Sequence, residues 1–355
     1  MGVRSLAGVP VAACVACAGG TTVSNHVGEA DAGADAGAIP TTCGGQVRQL
    51  TDPNGYVIWI GLAGSTLYFS LWDRAIESLP SAGNGAPFVI AKADATGTPV
   101  STGMYVFNGF AFDSTYLYWS ESVGLAPSTI KRAPLGGGAT QVPVTSPDGW
   151  IGGLAVDSGN LYWIDQDDGQ ILSMPVAGGA TTTIATGLTT PGGLAIREGS
   201  IYLTDPDGDL MTVPVGGGAV TTLVHGPGLP PHEEVEGFPP ALAVDDSNVY
   251  FSQSYAANPI VAQVPRVGGA MTVLAHDSAG GIAVDAKYVY WSDDSSVSRV
   301  PIGGGPICVI ASNQSQIVGP ALDESSVYWA TSVPMGQCVG CPPPTGTNAI
   351  MKATK

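Results

Sequence analysis

Short apolar runs, each interrupted after a few positions by polar residues or glycine, recur along most of the chain. One pattern returns seven times: an aliphatic residue, a tyrosine and, in six of the seven cases, a second aromatic residue. Neighbouring tyrosines of this pattern are 38 to 50 residues apart. Such self-similarity predicts a repeat architecture built from one supersecondary unit per repeat. The instances are Tyr68-Phe69, Tyr118-Trp119, Tyr162-Trp163, Tyr202-Leu203, Tyr250-Phe251, Tyr290-Trp291 and Tyr328-Trp329.

Each repeat divides into four predicted strands, A to D. Strand A is rich in small residues, as in 153–156, and strand B carries the tyrosine. Strand C ends at a proline such as Pro175, which cannot donate a ladder hydrogen bond, and a glycine pair such as Gly178-Gly179 then turns the chain into strand D. An aspartate five residues before the tyrosine is expected to cap the A–B turn by accepting backbone N–H bonds. It occurs in five repeats, as Asp113, Asp157, Asp245, Asp285 and Asp323.

The two ends of the chain complement each other. The seventh repeat has strands A, B and C but no D, while residues 46–50 have the character of a D strand without a blade. Pairing 46–50 with 349–352 would close the ring and remove a free sheet edge. Four-stranded units of about 40–45 residues are propeller blades. The sequence therefore predicts an all-β fold over residues 43–355, a seven-bladed β-propeller of antiparallel four-stranded blades; a six-bladed ring is the alternative.

The N-terminus predicts export. Arg4 precedes the apolar run Leu6–Ala13, and small residues lead to Cys14, which together indicate a signal region over residues 1–18. Residues 11–14 (Val-Ala-Ala-Cys) resemble the lipobox of bacterial lipoproteins, which implies lipidation of Cys14. Cys17 is an alternative acceptor, and an ordinary secretion signal is an alternative to lipidation.

The composition predicts a disordered N-terminal tether and argues against nucleic acid as a partner. Residues 19–42 are dominated by Ala, Gly, Thr and Asp and predict a disordered tether. The net charge of −17 repels phosphate backbones, so we expect no nucleic-acid partner. No later apolar run reaches about 18 residues, so membrane attachment is expected only through a lipid. The expected protein is a monomer outside the cytoplasm, either a membrane-anchored lipoprotein or a secreted protein.

The second strand carries a family resemblance. Residues 162–165 (Tyr-Trp-Ile-Asp), 202–205 (Tyr-Leu-Thr-Asp) and 290–293 (Tyr-Trp-Ser-Asp) are similar to the YWTD repeat. The blade pattern over residues 46–355 resembles the broad YWTD/NHL group, which includes bacterial extracytoplasmic propellers. The resemblance implies the propeller fold but no single activity, since such propellers serve as ligand binders, scaffolds and enzymes. YWTD propellers usually have six blades, and the count of seven departs from that.

Candidate binding residues lie in the connections from strand D of one blade to strand A of the next. These connections converge on one face, around the mouth of the central channel. The longest near the histidines is 226–240, which contains His232 and Glu236. Trp150 and the pair His276-Asp277 lie in equivalent connections. We predict that Trp150, His232, Glu236, His276 and Asp277 bind a ligand, and we assign no catalytic residue.

Two functions from different classes follow. The first is a non-enzymatic binding or scaffold propeller that is held at the bacterial cell envelope or is secreted. Its partner would be a protein, a glycan or a small molecule. The alternative is a metal-dependent hydrolase or lyase, in which the His and acidic residues of this mouth hold a divalent metal, calcium or zinc. Acidic turns after strand B, such as Asp165–Gly169, offer carboxylates that calcium prefers, although ordinary turns have the same composition.

The remaining cysteines suggest one local disulfide. Cys338 and Cys341 lie in the long B–C loop of the last repeat, and in an exported protein they predict a disulfide that pins this loop. Cys43 and Cys308 start D strands of neighbouring blades. We expect distance to keep these two apart, and their state stays open.

Overall fold

The computed structural model describes residues 41–42, 45–53, 55–72, 75–92, 105–123, 128–146, 150–189, 191–205, 208–225, 241–253, 259–332 and 348–355. The described residues form strands and turns without a helix. Within these ranges there is accordingly no helix long and apolar enough to cross a membrane.

Twenty-nine strands account for the described fold. Two precede the first blade: β1 (Thr41–Thr42) and β2 (Val47–Thr51). Blade 1 contains β3 (Val57–Ala63), β4 (Thr66–Leu71), β5 (Ala75–Pro80) and β6 (Phe88–Lys92). Blade 2 contains β7 (Tyr105–Phe112), β8 (Tyr116–Val123), β9 (Ser128–Pro134) and β10 (Gln141–Ser146). Blade 3 contains β11 (Ile151–Asp157), β12 (Asn160–Asp165), β13 (Gln170–Pro175) and β14 (Thr182–Ala185).

The remaining blades repeat the plan. Blade 4 contains β15 (Leu194–Arg197), β16 (Ser200–Thr204), β17 (Leu210–Pro214) and β18 (Thr221–Val224). Blade 5 contains β19 (Leu242–Val244), β20 (Asn248–Gln253), β21 (Ile260–Pro265) and β22 (Thr272–Ala275). Blade 6 contains β23 (Gly281–Val284), β24 (Tyr288–Ser292), β25 (Val297–Pro301) and β26 (Cys308–Ala311). Blade 7 contains β27 (Ile317–Leu322), β28 (Ser326–Thr331) and β29 (Ala349–Thr354).

The strand order confirms the predicted architecture. Strands A to D of each blade form an antiparallel sheet and follow one another in chain order, except in blade 7, where β2 from the N-terminal part of the chain is strand D. Strands A of neighbouring blades contact each other, which places them at the centre of the ring. The structure therefore has seven blades, and the six-bladed alternative is wrong.

Strand B fills the gaps between the blades. The buried apolar residues form seven clusters, one at each interface between neighbouring blades. In blade 6, Tyr290 packs into the interface with blade 7, whereas Trp291 packs into the interface with blade 5. Successive side chains of a strand point to opposite faces, so one dipeptide serves both interfaces. This alternation explains why the Tyr-aromatic pair recurs once per blade.

The inner strands are small because the centre is crowded. A Cβ atom added at Gly281 of blade 6 would lie 1.8 Å from the carbonyl oxygen of Gly319 in blade 7. At Gly109 of blade 2 it would lie 2.7 Å from the carbonyl oxygen of Gly152 in blade 3. Backbone atoms cannot yield as a flexible side chain can, and so these contacts require glycine.

The repeated aspartates cap turns, as predicted. In Asp245, Oδ1 accepts the backbone N–H groups of Ser247 and Asn248, both at 2.7 Å, and Oδ2 accepts the hydroxyl of Tyr250 at 2.7 Å. The same turn bonds occur at Asp113, Asp285 and Asp323. Blade 3 differs because the A–B turn after Asp157 uses positive φ at Ser158 and Gly159 instead. Four of the five predicted caps thus take this form.

The N-terminal chain closes the ring and extends beyond the prediction. Strand β2 pairs with β29, matching Val47 to Ala353 and Arg48 to Lys352, so the expected fourth strand of blade 7 is confirmed. Strand β1 was not predicted. It pairs in parallel with β26 and becomes a fifth strand of blade 6. Thr41 and Thr42, the last two residues of the predicted tether, thus lie in a strand.

We expect Gly281→Ala to lower the free energy of unfolding by about 3 kcal/mol or more, because its new methyl group overlaps a backbone carbonyl and overpacks the centre. The measurement is urea unfolding followed by near-UV circular dichroism.

Gly303→Ala is the matched control, since a Cβ atom there meets nothing within 4 Å. Its effect should lie between none and a stabilisation of about 1 kcal/mol. Equal stability of the two variants would show that the centre of the ring is not close-packed.

Candidate functional site

The two faces of the ring are built from different connections. The A–B and C–D turns lie on one face, here called the turn face. The B–C and D–A connections lie on the other, here called the connection face. Trp150 illustrates the second: its backbone N–H donates to Oδ2 of Asp167 in the B–C turn of blade 3 at 3.2 Å. Its carbonyl accepts the N–H of Gln166 at 2.9 Å. The predicted binding residues that the structure describes all lie on the connection face.

The structure does not bring these predicted residues together. Trp150, which is 40% exposed, immediately precedes blade 3, whereas the exposed His276 and the half-buried Asp277 precede blade 6. No described contact joins Trp150 to either of them. His232 and Glu236 lie outside the described residues, as do the predicted lipidation site Cys14 and the predicted disulfide Cys338–Cys341.

Asp277 is already engaged within the fold. Its Oδ2 accepts the indole N–H of Trp291 at 2.8 Å, and its Oδ1 accepts the backbone N–H of Ser278 at 2.9 Å. Burial raises the pKa of the Asp277 carboxyl, and the Trp291 bond opposes that shift. The carboxylate therefore ties the D–A connection to strand B. Its predicted role in ligand binding stays a prediction.

The acidic turns use their carboxylates locally. In Asp293, Oδ1 accepts the N–H groups of Ser295 at 2.6 Å and Ser296 at 2.7 Å. In Asp205, Oδ1 accepts the N–H of Asp209 at 2.9 Å. Within the described ranges, no group of three or more His, Cys, Asp or Glu residues is placed to hold a metal. The described turns are thus accounted for as Asx-type caps.

A cluster that sequence reasoning missed lies on the connection face where the ring closes. The rings of Tyr56 and Trp72 meet edge to face, with centroids 6.4 Å apart, and Trp72 is 42% exposed. The Tyr56 hydroxyl donates to Oε1 of Gln316 at 3.0 Å. We name Tyr56, Trp72, Gln316 and the neighbouring Asp294 the seam cluster.

Asp294 belongs to the cluster because its turn is hydrogen-bonded to the connection that carries Gln316 and because its charge acts on the Tyr56 phenol. The backbone N–H of Gln314 donates to the carbonyl of Ser295 at 2.9 Å, which holds the Gln316 connection against the B–C turn of Asp294. Burial, and then the negative charge of Asp294, raise the pKa of the Tyr56 phenol. The phenol therefore stays neutral and keeps donating to Gln316, beside an exposed carboxylate.

The repeat itself carried a signal for this cluster. The residue four positions after the strand-B tyrosine is Trp72 in blade 1 and Asp294 in blade 6. The other five blades have Ser, Gln or Pro there, at Ser122, Gln166, Pro206, Ser254 and Ser332. A departure from a repeat at an exposed connection position indicates function better than a conforming residue does.

Eight of the ten described Lys and Arg side chains lie at the turn face. Arg132 donates to the carbonyl of Val176, and Lys352 donates to the carbonyl of Ser81 at 3.1 Å, in each case in the C–D turn of the next blade. Of the two described cations that are not on this face, Lys131 forms a buried ion pair with Glu121 at 3.0 Å and Lys92 ends strand β6. The eight cations that lie at the turn face are Arg48, Arg132, Arg197, Arg266, Lys287, Arg299, Lys352 and Lys355.

The turn face also has a cavity of about 990 Å³ between blades 6 and 7. It is lined by apolar, aromatic, acidic and basic side chains. The ammonium of Lys355 lies 2.8 Å from Oδ2 of Asp285, and Arg299 stacks over Tyr288 with 4.4 Å from Cζ to the ring centroid. Burial raises the pKa of Asp285, but Lys355 and two backbone N–H groups outweigh it, so that the net shift is downward. Charges in this cavity therefore pair largely with each other.

The described residues define a seven-bladed β-propeller whose connection face exposes carboxylates and the aromatic side chains of Trp72 and Trp150, and whose turn face carries both cations and carboxylates. No known family model matches the chain, and no curated protein matches it. Solved structures do resemble it. One is YCF48 bound to D1 peptide, with a TM-score of 0.58 and 11% identity, covering 90% of this chain and 98% of that chain.

Two further solved structures have the same fold. The computationally designed Ika8 protein has a TM-score of 0.54 and 12% identity, covering 85% of this chain and 98% of its own. A chain of a nidogen/laminin complex has a TM-score of 0.51 and 20% identity, covering 70% of this chain and 100% of its own. At such identities the comparison establishes the fold alone.

Two variants test the structural role of Asp277. Asp277→Ala should lower the free energy of unfolding at pH 7 by about 1–2 kcal/mol, because it leaves the Trp291 N–H without an acceptor. Asp277→Asn keeps an acceptor and removes a carboxylate that is costly to ionise. It should therefore be at least as stable as the wild type at pH 7.

The stability that Asp277 contributes should depend on pH. A carboxyl whose pKa is raised in the folded state binds its proton more tightly there, so its contribution to stability falls as the pH rises from the unfolded pKa through the folded pKa. Asp277→Asn should abolish this part of the decline above about pH 4. An Asp277→Asn variant as unstable at pH 7 as Asp277→Ala would contradict this account.

Proposed function

We propose that this chain is a non-enzymatic binding propeller that captures a basic protein segment on its connection face, with the seam cluster as the anchor. The observation that carries the proposal is the exposed Trp72, held edge to face against Tyr56 beside an exposed carboxylate. Tryptophan and tyrosine dominate binding hot spots because they offer large, rigid apolar surfaces with a polar tip.

The site is preorganised. Tyr56 is fixed at its hydroxyl by Gln316, and its backbone carbonyl accepts the N–H of Trp72 at 2.8 Å. A partner therefore meets an aromatic surface whose support is already ordered, and less conformational entropy is lost on binding. An arginine or lysine side chain fits such a surface, since a cation is attracted to the face of an aromatic ring and to the adjacent Asp294.

Charge supports the choice of a basic partner. The chain carries a net charge of −17, and the described cations are concentrated on the turn face. The connection face carries exposed carboxylates such as Asp168, Asp294 and Asp167, and Lys92 is the one exposed Lys or Arg there among the described residues. A field of this sign attracts a cationic segment from a distance and accelerates its association.

The similar structures are compatible with this function. One of them is a nidogen/laminin complex and another is YCF48 bound to a peptide, so that both belong to proteins solved with a protein or peptide partner. They support only the choice of a polypeptide over a small molecule.

The proposed location is outside the cytoplasm, at the bacterial cell envelope through a lipid on Cys14 or in secreted form. Cys308 is disulfide-bonded. Disulfides persist in oxidising compartments and are rare in the cytosol, which supports export.

The test uses fluorescein-labelled hexa-arginine as the probe, with hexa-glutamate as the charge control, and fluorescence anisotropy at about 50 mM and 150 mM salt. We expect hexa-arginine to bind the wild type and hexa-glutamate not to bind. Trp72→Ala should weaken binding about 30-fold, the loss of about 2 kcal/mol that is typical of a hot spot. Asp294→Asn should weaken it by a smaller factor and reduce its salt dependence.

Matched controls separate the site from general charge and surface effects. Phe88→Ala removes another exposed aromatic side chain, 56% exposed on the outer strand of blade 1. Glu324→Gln removes an exposed carboxylate from the turn face. Both should bind hexa-arginine as the wild type does. If Trp72→Ala behaves like these controls, or if hexa-arginine does not bind, the seam cluster is not the anchor.

A further inference from the structure

Three blades carry a cation at the same position of strand C, opposite the strand-B tyrosine of their own blade. These cations are Arg132 in blade 2, Arg299 in blade 6 and Lys352 in blade 7. Arg132 and Lys352 each donate to a carbonyl in the C–D turn of the next blade. Among the described residues, Arg299 has no such acceptor, and its Nε is buried without a hydrogen-bond partner. Of the three cations, Arg299 is therefore the one that does not join its blade to the next.

Arg132 and Arg299 are otherwise placed alike. Each guanidinium stacks over a tyrosine of strand B, with 4.6 Å from Cζ to the ring centroid in blade 2 and 4.4 Å in blade 6. Nε of Arg132 also donates to Oε1 of Gln141, the residue opposite it in strand D, at 2.7 Å. The residue opposite Arg299 is Cys308, which has no amide oxygen. Burial raises the pKa of the Tyr290 phenol to about 12, and a hydrogen bond with Arg299 opposes this shift, so that Arg299 bonds within its own blade.

The missing turn acceptor follows from the way the ring closes. Blade 7 has no C–D turn, because its strand D is β2 from the N-terminal part of the chain and not the continuation of β29. Arg299 here lines the cavity of about 990 Å³ between blades 6 and 7. At the preceding interface, between blades 5 and 6, Ile302 of a C–D turn lines a smaller cavity, of about 540 Å³. The larger cavity has the size of a small-molecule site, for which about 300–1,000 Å³ is typical.

The carboxylates of this larger cavity are compensated, whereas Arg299 is not. Oδ2 of Asp285 pairs with the ammonium of Lys355 at 2.8 Å. Asp323 accepts a backbone N–H at 2.8 Å and a tyrosine hydroxyl at 2.5 Å. Glu324 is exposed, so that solvent and salt screen its charge. Arg299 forms no ion pair with any described residue, and the cavity therefore offers one cation for an anionic group.

We propose that the cavity between blades 6 and 7 binds a small organic carboxylate, and that Arg299 holds the carboxylate group. The ligand takes the place of the carbonyl acceptor that the cations of blades 2 and 7 find in the next blade. Hydrogen bonds between two charged groups are about twice as strong as neutral ones, and a planar guanidinium matches a carboxylate. Val284, Leu322 and the ring of Tyr288 provide apolar wall for the organic part of the ligand. This site lies on the turn face and does not depend on the seam cluster.

The first test is the binding of benzoate, with benzamide as the neutral control of the same shape, measured on the full chain by saturation-transfer difference NMR titration at pH 7. We expect benzoate to bind, and benzamide to bind at least about tenfold more weakly, since a bond to a charged group contributes about 1.5–3 kcal/mol. Arg299→Gln should weaken benzoate binding by a similar factor, because it removes the cation and keeps a polar side chain.

Two variants are matched controls for this test. Arg132→Gln makes the same change at the same strand position of blade 2, and Trp72→Ala alters the seam cluster on the other face. Both should bind benzoate as the wild type does, so that failure of this site and failure of the seam cluster are told apart. Absence of benzoate binding, equal binding of benzamide, or an equal loss in Arg132→Gln and Arg299→Gln would overturn the proposal.

The second test needs no ligand and asks whether Arg299 serves the fold instead. Arg132→Gln removes bonds to two acceptors, one of them in the next blade, and should lower Tm by about 5 °C. Arg299→Gln removes contacts within its own blade and should lower Tm by less than half as much. Thermal unfolding followed by circular dichroism measures both. Equal losses would show that Arg299 is a structural residue like Arg132.

Discussion

The ring depends on the alternation of side chains along strand B. Because neighbouring residues of a strand point to opposite faces, the tyrosine of each dipeptide packs into one interface and the following residue packs into the other. Trp291 and Tyr290 of blade 6 show this, each completely buried but in a different interblade cluster. The clusters of buried apolar residues all lie between neighbouring blades rather than within a single blade. Its apolar surface is covered only when both neighbours are present, which makes the closed ring the stable state.

Closure and the proposed binding site are therefore linked. The N-terminal chain contributes to three consecutive blades: β1 extends blade 6, β2 completes blade 7 and β3 begins blade 1. The seam cluster bridges the same region, since the bond from Tyr56 to Gln316 joins residues 260 positions apart in sequence. A ring that opened here would separate Tyr56 from its acceptor. Exposed Trp72 would then lose the support that orients it.

Sequence reasoning succeeded where a feature repeats and is local. The blades, the proline at the end of strand C and the caps at residues such as Asp245 are each decided within a few residues, and seven copies reinforce the pattern. It failed for β1, because a strand of two residues has no periodicity and its partner Cys308 is far away in sequence. The predicted binding residues stay a prediction: Asp277 also serves the fold through its bond to Trp291, and His232 and Glu236 lie outside the described residues. The proposed anchor Trp72 was not among them, because its signal is a departure from the repeat rather than a residue type associated with chemistry.

The unequal distribution of charged side chains between the two faces follows from how the blades are joined. Long cationic side chains on strand C, such as Arg132 and Lys352, reach the carbonyl groups of the next C–D turn, and Arg299 occupies the same strand position over Tyr288. These cations donate hydrogen bonds or stack on rings within the fold, and these contacts hold them at the turn face. The carboxylates of the B–C turns are used differently. Asp165 and Asp205 are buried and accept backbone N–H groups of their own turns, whereas Asp167, Asp168 and Asp294 are exposed on the connection face. Exposed carboxylates on this face thus follow from the fold. In the proposed function, Trp72 and Asp294, which stand where the other blades have Ser, Gln or Pro, turn this face into a site for a cation.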